Sequence, residues 1–266
     1  MKLSYTTLAT PGYSCRQSIE AARTYGYQGI DLRLSNQGEL TVRSTDQDIH
    51  YINQLLSEHD IAASSLLLYN PGVDRSELSW RELETYLLRG LELADAIHAQ
   101  SVRMFCSLPT TVEANWYRDR TTELLQRVVD QDKSGVAIHL QNHRSHATVA
   151  RLVKLLEMTN HPRIGMLLSP DHCLRLEEEV FDQLDQLEPY VKQLYVADVI
   201  ASGGQFPDVL PGYGEVPYER ILQHYDQARF DGWVSFKWER MHHIHLESPE
   251  VSLPHFISYM NRVQHV

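Results

Sequence analysis

A closed (β/α)8 barrel, one α/β domain over residues 1–266 with a parallel eight-stranded sheet inside a ring of helices, is the fold this sequence predicts. Three observations predict it. A short apolar run, a polar loop and an amphipathic stretch with a helix-start signal recur eight times along the chain. Runs such as Ser65-Leu66-Leu67-Leu68-Tyr69 and Ile164-Gly165-Met166-Leu167-Leu168 are almost wholly apolar, the mark of strands covered on both faces and hence of a parallel sheet. Eight such units in 266 residues fit a closed barrel better than an open doubly wound sheet, and no GxGxxG follows the first run to suggest a dinucleotide site.

Taken in order, the expected strands are 3–8, 29–34, 61–68, 101–106, 136–141, 164–168, 191–196 and 233–238. The helices expected after them are 14–25, 45–60, 80–98, 116–132, 146–159, 177–187, 218–228 and 254–263. Ser44 with Gln47 and Ser79 with Glu82 have the spacing of capping boxes at the second and third helices. Leu83, Leu87, Leu91 and Ala94 give the third helix one apolar face, at intervals of three and four residues, to lay on the sheet. No linker or composition shift marks a second domain.

Composition narrows the functional classes. Lys and Arg number 24 against 35 Asp and Glu, a net charge of -11, which argues against a binder of nucleic-acid phosphates. No apolar run approaches the roughly 18 residues of a membrane span, and Met1 to Leu8 has no signal-peptide character, so a cytoplasmic protein without membrane attachment is expected. Cys15, Cys106 and Cys173 are widely spaced and read as small buried hydrophobes rather than a disulfide framework.

In such a barrel the site lies at the carboxyl ends of the strands. There the sequence sets Gln141-Asn142-His143, then Ser169-Pro170-Asp171-His172, then Tyr195 with Asp198 and the loop Pro211-Gly212-Tyr213-Gly214-Glu215, and last Lys237-Trp238-Glu239 with Met241-His242-His243-Ile244-His245.

The chain resembles the xylose-isomerase-like TIM barrels of the sugar phosphate isomerase/epimerase family. The likeness rests on Lys2 to Leu8, on Ala21 to Asp31, on Pro211 to Tyr218 and on Phe230 to Phe236, and so spans nearly the whole sequence. The resemblance implies a divalent metal held by Glu, Asp, His and Glu from strands five to eight, stabilising an enediolate while carboxylates move a proton. Matched residue by residue, those four positions are Gln141, Ser169, Tyr195 and Lys237. A neutral amide, a hydroxyl, a phenol and an ammonium replace three carboxylates and an imidazole, so the family metal site is expected to be absent and no cofactor is assigned.

Two roles are open for Lys237: an ammonium in place of the metal's charge or a Schiff-base amine, against a structural lysine paired with Glu239 or Asp198. His143 and His172 are candidates for moving protons, and Tyr195 either hydrogen-bonds a ligand or fills the vacated space. Gln141, Ser169, Asp198, Glu239, Arg33 and Arg103 are candidate ligand-binding residues, with ion pairing of Asp31 to Arg33 or Arg103 the plainer alternative. His139 reads as a core histidine. His242, His243 and His245 raise the alternative of a relocated metal site.

The expectation is therefore an isomerase/epimerase-like or lyase-like enzyme acting without metal on a small polar hydroxylated carbonyl compound. A non-catalytic binding or scaffold protein and a metalloenzyme with moved ligands stand as alternatives. Assembly with further copies of the chain is left open.

Overall fold

The structure, a computed structural model, describes residues 1–106, 114–143, 147–178 and 180–264. Its strands are β1 (Lys2–Thr6), β2 (Gly29–Leu34), β3 (Ala62–Leu68), β4 (Ser101–Phe105), β5 (Ala137–Gln141), β6 (Ile164–Leu168), β7 (Val191–Val196), the two-residue β8 (Asp198–Val199) and β9 (Asp208–Val209), and β10 (Trp233–Phe236). All but β8 and β9 close into one parallel barrel in the order β1-β10-β7-β6-β5-β4-β3-β2. The seam is sealed by β1 against β10, with Ser4 opposite Ser235 and Tyr5 opposite Phe236. β8 and β9 form a small antiparallel hairpin in the loop after β7.

Around the barrel lie α1 (Cys15–Tyr25), α2 (Asp46–His59), α3 (Glu77–Ala96), α4 (Ala114–Gln131), α5 (Val149–Thr159), α6 (Pro170–Arg175), α7 (Leu184–Leu187), α8 (Tyr218–Gln227) and α9 (Pro249–Gln264). No helix among the described residues is long and apolar enough to cross a membrane. The face of α3 formed by Leu83, Leu87, Leu91 and Ala94 is buried as expected. Gly90 lets that helix approach the sheet closely, since a Cβ there would stand 2.8 Å from Leu68 Cδ2.

Three local expectations are corrected. Thr45, not Ser44, caps α2 in a reciprocal box with Asp48, while the Ser44 hydroxyl accepts from the Thr41 amide. Ser76 caps α3 by accepting from the Ser79 amide, so the helix begins three residues before Trp80. In place of one sixth helix over 177–187 there are α6 and α7, and Glu177 between them has a positive φ of 53° that ends any helix. Glu178 is drawn away to accept from the Val149 amide at the start of α5. The predicted start of the fifth helix, His146, lies outside the described residues.

The barrel interior is unusually polar for its class, where branched aliphatics normally fill the layers. Ser4 Oγ and Ser235 Oγ are 2.6 Å apart, Gln193 Nε2 donates to Ser235 Oγ at 2.8 Å and to Asp31 Oδ2 at 3.3 Å, and Ser64 Oγ donates to Asp31 Oδ1. His139 closes the chain, Nδ1 lying 3.3 Å from Gln193 Oε1. That oxygen can only accept, so the proton is on Nδ1. Burial raises the Asp31 carboxyl to about 7 against the opposing pull of its serine partners and Arg103. Burial likewise lowers His139 to about 4.

Further toward the carboxyl ends, Leu67, Leu167 and Tyr195 pack together as the next layer. Above that layer the barrel opens.

Candidate active site

A cavity of about 330 Å³ lies at the carboxyl ends of the strands, and its wall includes Lys237, Asp171, His172, His143 and Glu239. Each is positioned by the fold. Asn142, just past β5, binds the backbone of Ser169 in both senses: its Oδ1 accepts from the Ser169 amide at 2.6 Å and its Nδ2 donates to the Ser169 carbonyl at 3.0 Å. This fixes the entry to α6, whose first turn carries Pro170, Asp171 and His172. Lys237 follows β10 directly, and its amide extends the ladder by donating to Val196 O at 2.9 Å.

At the centre is a buried ion pair. Lys237 Nζ lies 2.9 Å from Asp171 Oδ2, and the two side chains are 5% and 1% exposed. Ser169 Oγ donates to Asp171 Oδ1 at 2.6 Å and accepts from Lys237 at 3.3 Å. Burial alone would lower the Lys237 pKa, but Asp171 and Glu239 outweigh it and hold it above the usual value. Burial opposes ionisation of Asp171, yet the neighbouring His172, the Lys237 ammonium and the Ser169 hydroxyl bring it well below the carboxylate range.

His172 Nε2 is 3.4 Å from Lys237 Nζ. An ammonium only donates, so Nε2 is the unprotonated nitrogen and the proton sits on Nδ1. Burial drives the His172 pKa down to about 3, in keeping with a neutral ring. Its Nδ1 is buried without a hydrogen-bond partner, 4.0 Å from Asp171 Oδ2. The His143 ring meets it edge-on with centroids 4.5 Å apart.

Two residues of this wall, Arg175 and Asp208, were not singled out in the sequence. Arg175 Nε faces Asp171 Oδ2 at 3.7 Å, and its two terminal nitrogens bind Phe206 O and Asp208 Oδ1, each at 2.7 Å. It thereby pins the β8–β9 hairpin over the cavity. Arg175 stands four residues after Asp171, one helical turn away, which is a readable signal. Asp208 sits in a hairpin too short to show any periodicity.

Of the residues expected at the site, Lys237, His143, His172 and Glu239 line the cavity, with Ser169 hydrogen-bonded directly behind it. The others lie elsewhere. Gln141 is buried at the end of β5. Tyr195 is buried beneath the cavity in the leucine layer, near Arg103. Arg103 stacks its guanidinium 3.9 Å from the Phe105 ring centroid and donates to Leu68 O. Arg33 pairs with Glu39 at 2.7 Å rather than with Asp31. Asp198 accepts from the amides of Val199, Gly212, Gly214 and Val216, which makes it the organiser of the loop after β7. It does not pair with Lys237, whose carboxylate partners are Asp171 and, at 3.6 Å, Glu239.

His243 and His245 also reach the wall, with ring centroids 5.9 Å apart. Among the described residues, the only three His, Cys, Asp or Glu side chains with ligand atoms within 4.8 Å of one another are Asp185, Glu188 and His224, on the outside of the barrel. There Nδ1 of His224 faces Asp185 and Nε2 faces Glu188, so the ring lies between the acids instead of offering one nitrogen to a shared ion.

The sequence model of the family described as xylose isomerase-like TIM barrel matches residues 19–258. No curated protein matches the sequence significantly. Among solved structures, the IolI protein with a bound zinc atom is similar at a TM-score of 0.81 and 17% identity, over 99% of this chain and 98% of that one. The D-allulose 3-epimerase of a Methylomonas species is similar at 0.80 and 12%, over 99% and 98%. The E. coli 3-keto-D-glucoside 4-epimerase YcjR follows at 0.77 and 12%, over 98% and 99%. At such identities the structural likeness is one of fold.

Proposed function

The chain belongs to the xylose isomerase-like TIM-barrel family, and from that premise we propose that it is an isomerase/epimerase-like enzyme that moves a proton on a small hydroxylated carbonyl compound without the family's metal. The observation that carries this reading is the Lys237 ammonium, held in the wall of an open cavity by the Asp171 carboxylate.

The donor set does not suit a divalent cation. At the four positions matched to the family's ligands, Lys237 is a protonated cation, Tyr195 is packed with Leu67 and Leu167, Ser169 is spent between Asp171 and Lys237, and Gln141 is a neutral amide. Hard cations need anionic oxygens, and a fixed ammonium repels them. No step is therefore assigned to a metal.

Chemically, a fixed positive charge beside a ligand carbonyl stabilises the oxyanion that forms when a neighbouring C–H proton is removed. Lys237 supplies that charge. With its Nε2 turned toward Lys237 and its Nδ1 buried, His172 positions the ammonium and is not the base. Proton acceptance falls to His143 or the Glu239 carboxylate, both in the wall. The Schiff-base role for Lys237 is disfavoured, because that chemistry needs a neutral amine and the flanking carboxylates stabilise the charged form.

The test is solvent exchange. Incubated in heavy water with a panel of small ketoses and aldoses, the protein should place deuterium next to the carbonyl of at least one, undiminished by a chelator. Lys237→Met should lose roughly 100-fold or more in rate, the scale of one oxyanion-stabilising donor. If no compound exchanges or shifts the melting temperature, the non-catalytic alternative replaces this reading. Exchange abolished by chelator and restored by a divalent ion would overturn the metal-free part.

A further inference from the structure

The cations of the cavity wall are already engaged, whereas one of its carboxylates is not. Lys237 has three N–H donors and three acceptors around them: Asp171 Oδ2 at 2.9 Å, Ser169 Oγ at 3.3 Å and His172 Nε2 at 3.4 Å. The nitrogens of Arg175 face Phe206 O, Asp208 Oδ1 and Asp171 Oδ2. The Glu239 carboxylate, by contrast, accepts no hydrogen bond among the described residues, and its nearest cation, Lys237 at 3.6 Å, is shared with the closer Asp171. Lys237 and Arg175 stand against Asp171, Asp208 and Glu239, which leaves negative charge in excess in the wall.

The consequence for a ligand is asymmetric. Among the described residues a phosphate or carboxylate entering the cavity finds no unengaged cation, and it must either displace Asp171 or Asp208 or lie beside Glu239 uncompensated. A hydroxyl or amine N–H instead donates to the Glu239 carboxylate. We infer that the cavity rejects phosphorylated and carboxylated compounds and takes an uncharged or amine-bearing hydroxylated ligand, with Glu239 as the residue that sets this selectivity. The inference rests on the cavity being the ligand site, as the proposed function requires.

The experiment uses the full chain at pH 7.5, above the ordinary histidine pKa of about 6.5. Dihydroxyacetone, D-fructose and D-glucosamine are titrated beside dihydroxyacetone phosphate, fructose 6-phosphate and gluconate, with the His143 and His172 imidazole NMR signals as readout. At least one uncharged or amine probe should shift those signals, and its anionic counterpart should bind about tenfold more weakly or worse. In Glu239→Gln and Glu239→Ala the ratio should shrink to within about threefold, chiefly because the anion binds better, an effect that a purely structural role for Glu239 does not produce. Wild-type protein that prefers the phosphate or the acid overturns the selectivity and leaves the enzymatic reading standing. A ratio unchanged in both variants, with native melting curves, removes Glu239 as its source and so overturns the inference. If no probe of either kind shifts the histidines, the inference and the proposed ligand site fall together.

Discussion

Lys237 and Asp171 are each tolerable only because of the other. Taking either charge out of water costs several kcal/mol, and at 5% and 1% exposure solvent does little to relieve whichever is left alone. Lys237→Met should therefore destabilise the fold by about 3–5 kcal/mol, the usual penalty for stranding one member of a buried pair. Adding Asp171→Asn should restore most of that loss, a coupling that urea melts of the two single variants and the double variant would measure. Additive losses would mean that the two residues do not act as a unit. Lys237 was recognisable in the sequence because a lysine at a barrel strand end stands out. Of its carboxylate partners Glu239 was expected and Asp171 was not, because Asp171, Asp198 and Glu239 all fall at strand ends and only the turn of α6 brings Asp171 closest.

At the scale of elements, the loop after β7 depends on one carboxylate. Asp198 accepts four backbone amides, and a Cβ on Gly214 would collide with its Oδ1. Asp198→Ala should cost roughly 2–4 kcal/mol, since several donors lose their acceptor together, and should open residues 208–216 to limited proteolysis. A variant as resistant as wild type would show that the loop holds without it. The eight barrel strands were legible to within about two residues because each is a short, mostly buried run bounded by polar loops, even where its inward residues are polar. The β8–β9 hairpin was not, since two-residue strands carry no periodicity, and the sixth helix was misread because Val180, Leu184 and Leu187 are buried without being helical throughout. The caps slipped for a similar reason. Ser44, Thr45, Ser76 and Ser79 can all cap, and tertiary packing decides which does.

For the whole molecule, the polar layer inside the barrel links two groups of opposite pH response through Gln193. Asp31 has a folded pKa of about 7, above the roughly 4 of an unfolded aspartate, so its contribution is complete at low pH and is lost as pH rises toward 7, about 4 kcal/mol in all. His139 has a folded pKa of about 4, below the roughly 6.5 of an unfolded histidine, so its contribution is complete above neutrality and is lost as pH falls toward 4. The two slopes oppose each other in the same interval and largely cancel. Asp31→Asn should unmask a steep loss of stability on acidification, and His139→Gln a steep loss on approach to neutrality, both read from melting temperatures between pH 4 and 7. Parallel profiles for the two variants would refute this.

The seam between β1 and β10 joins residues 2–5 to residues 233–236. A ribosome adding about 5–20 residues per second leaves the first strand without its second neighbour for on the order of ten to fifty seconds. Throughout that interval the nascent sheet has two bare edges, each a template for pairing with another unfinished chain. Chains that stop short of Trp233 should therefore aggregate rather than fold in part, and synthesis in cells should lean on chaperones until the last strand emerges.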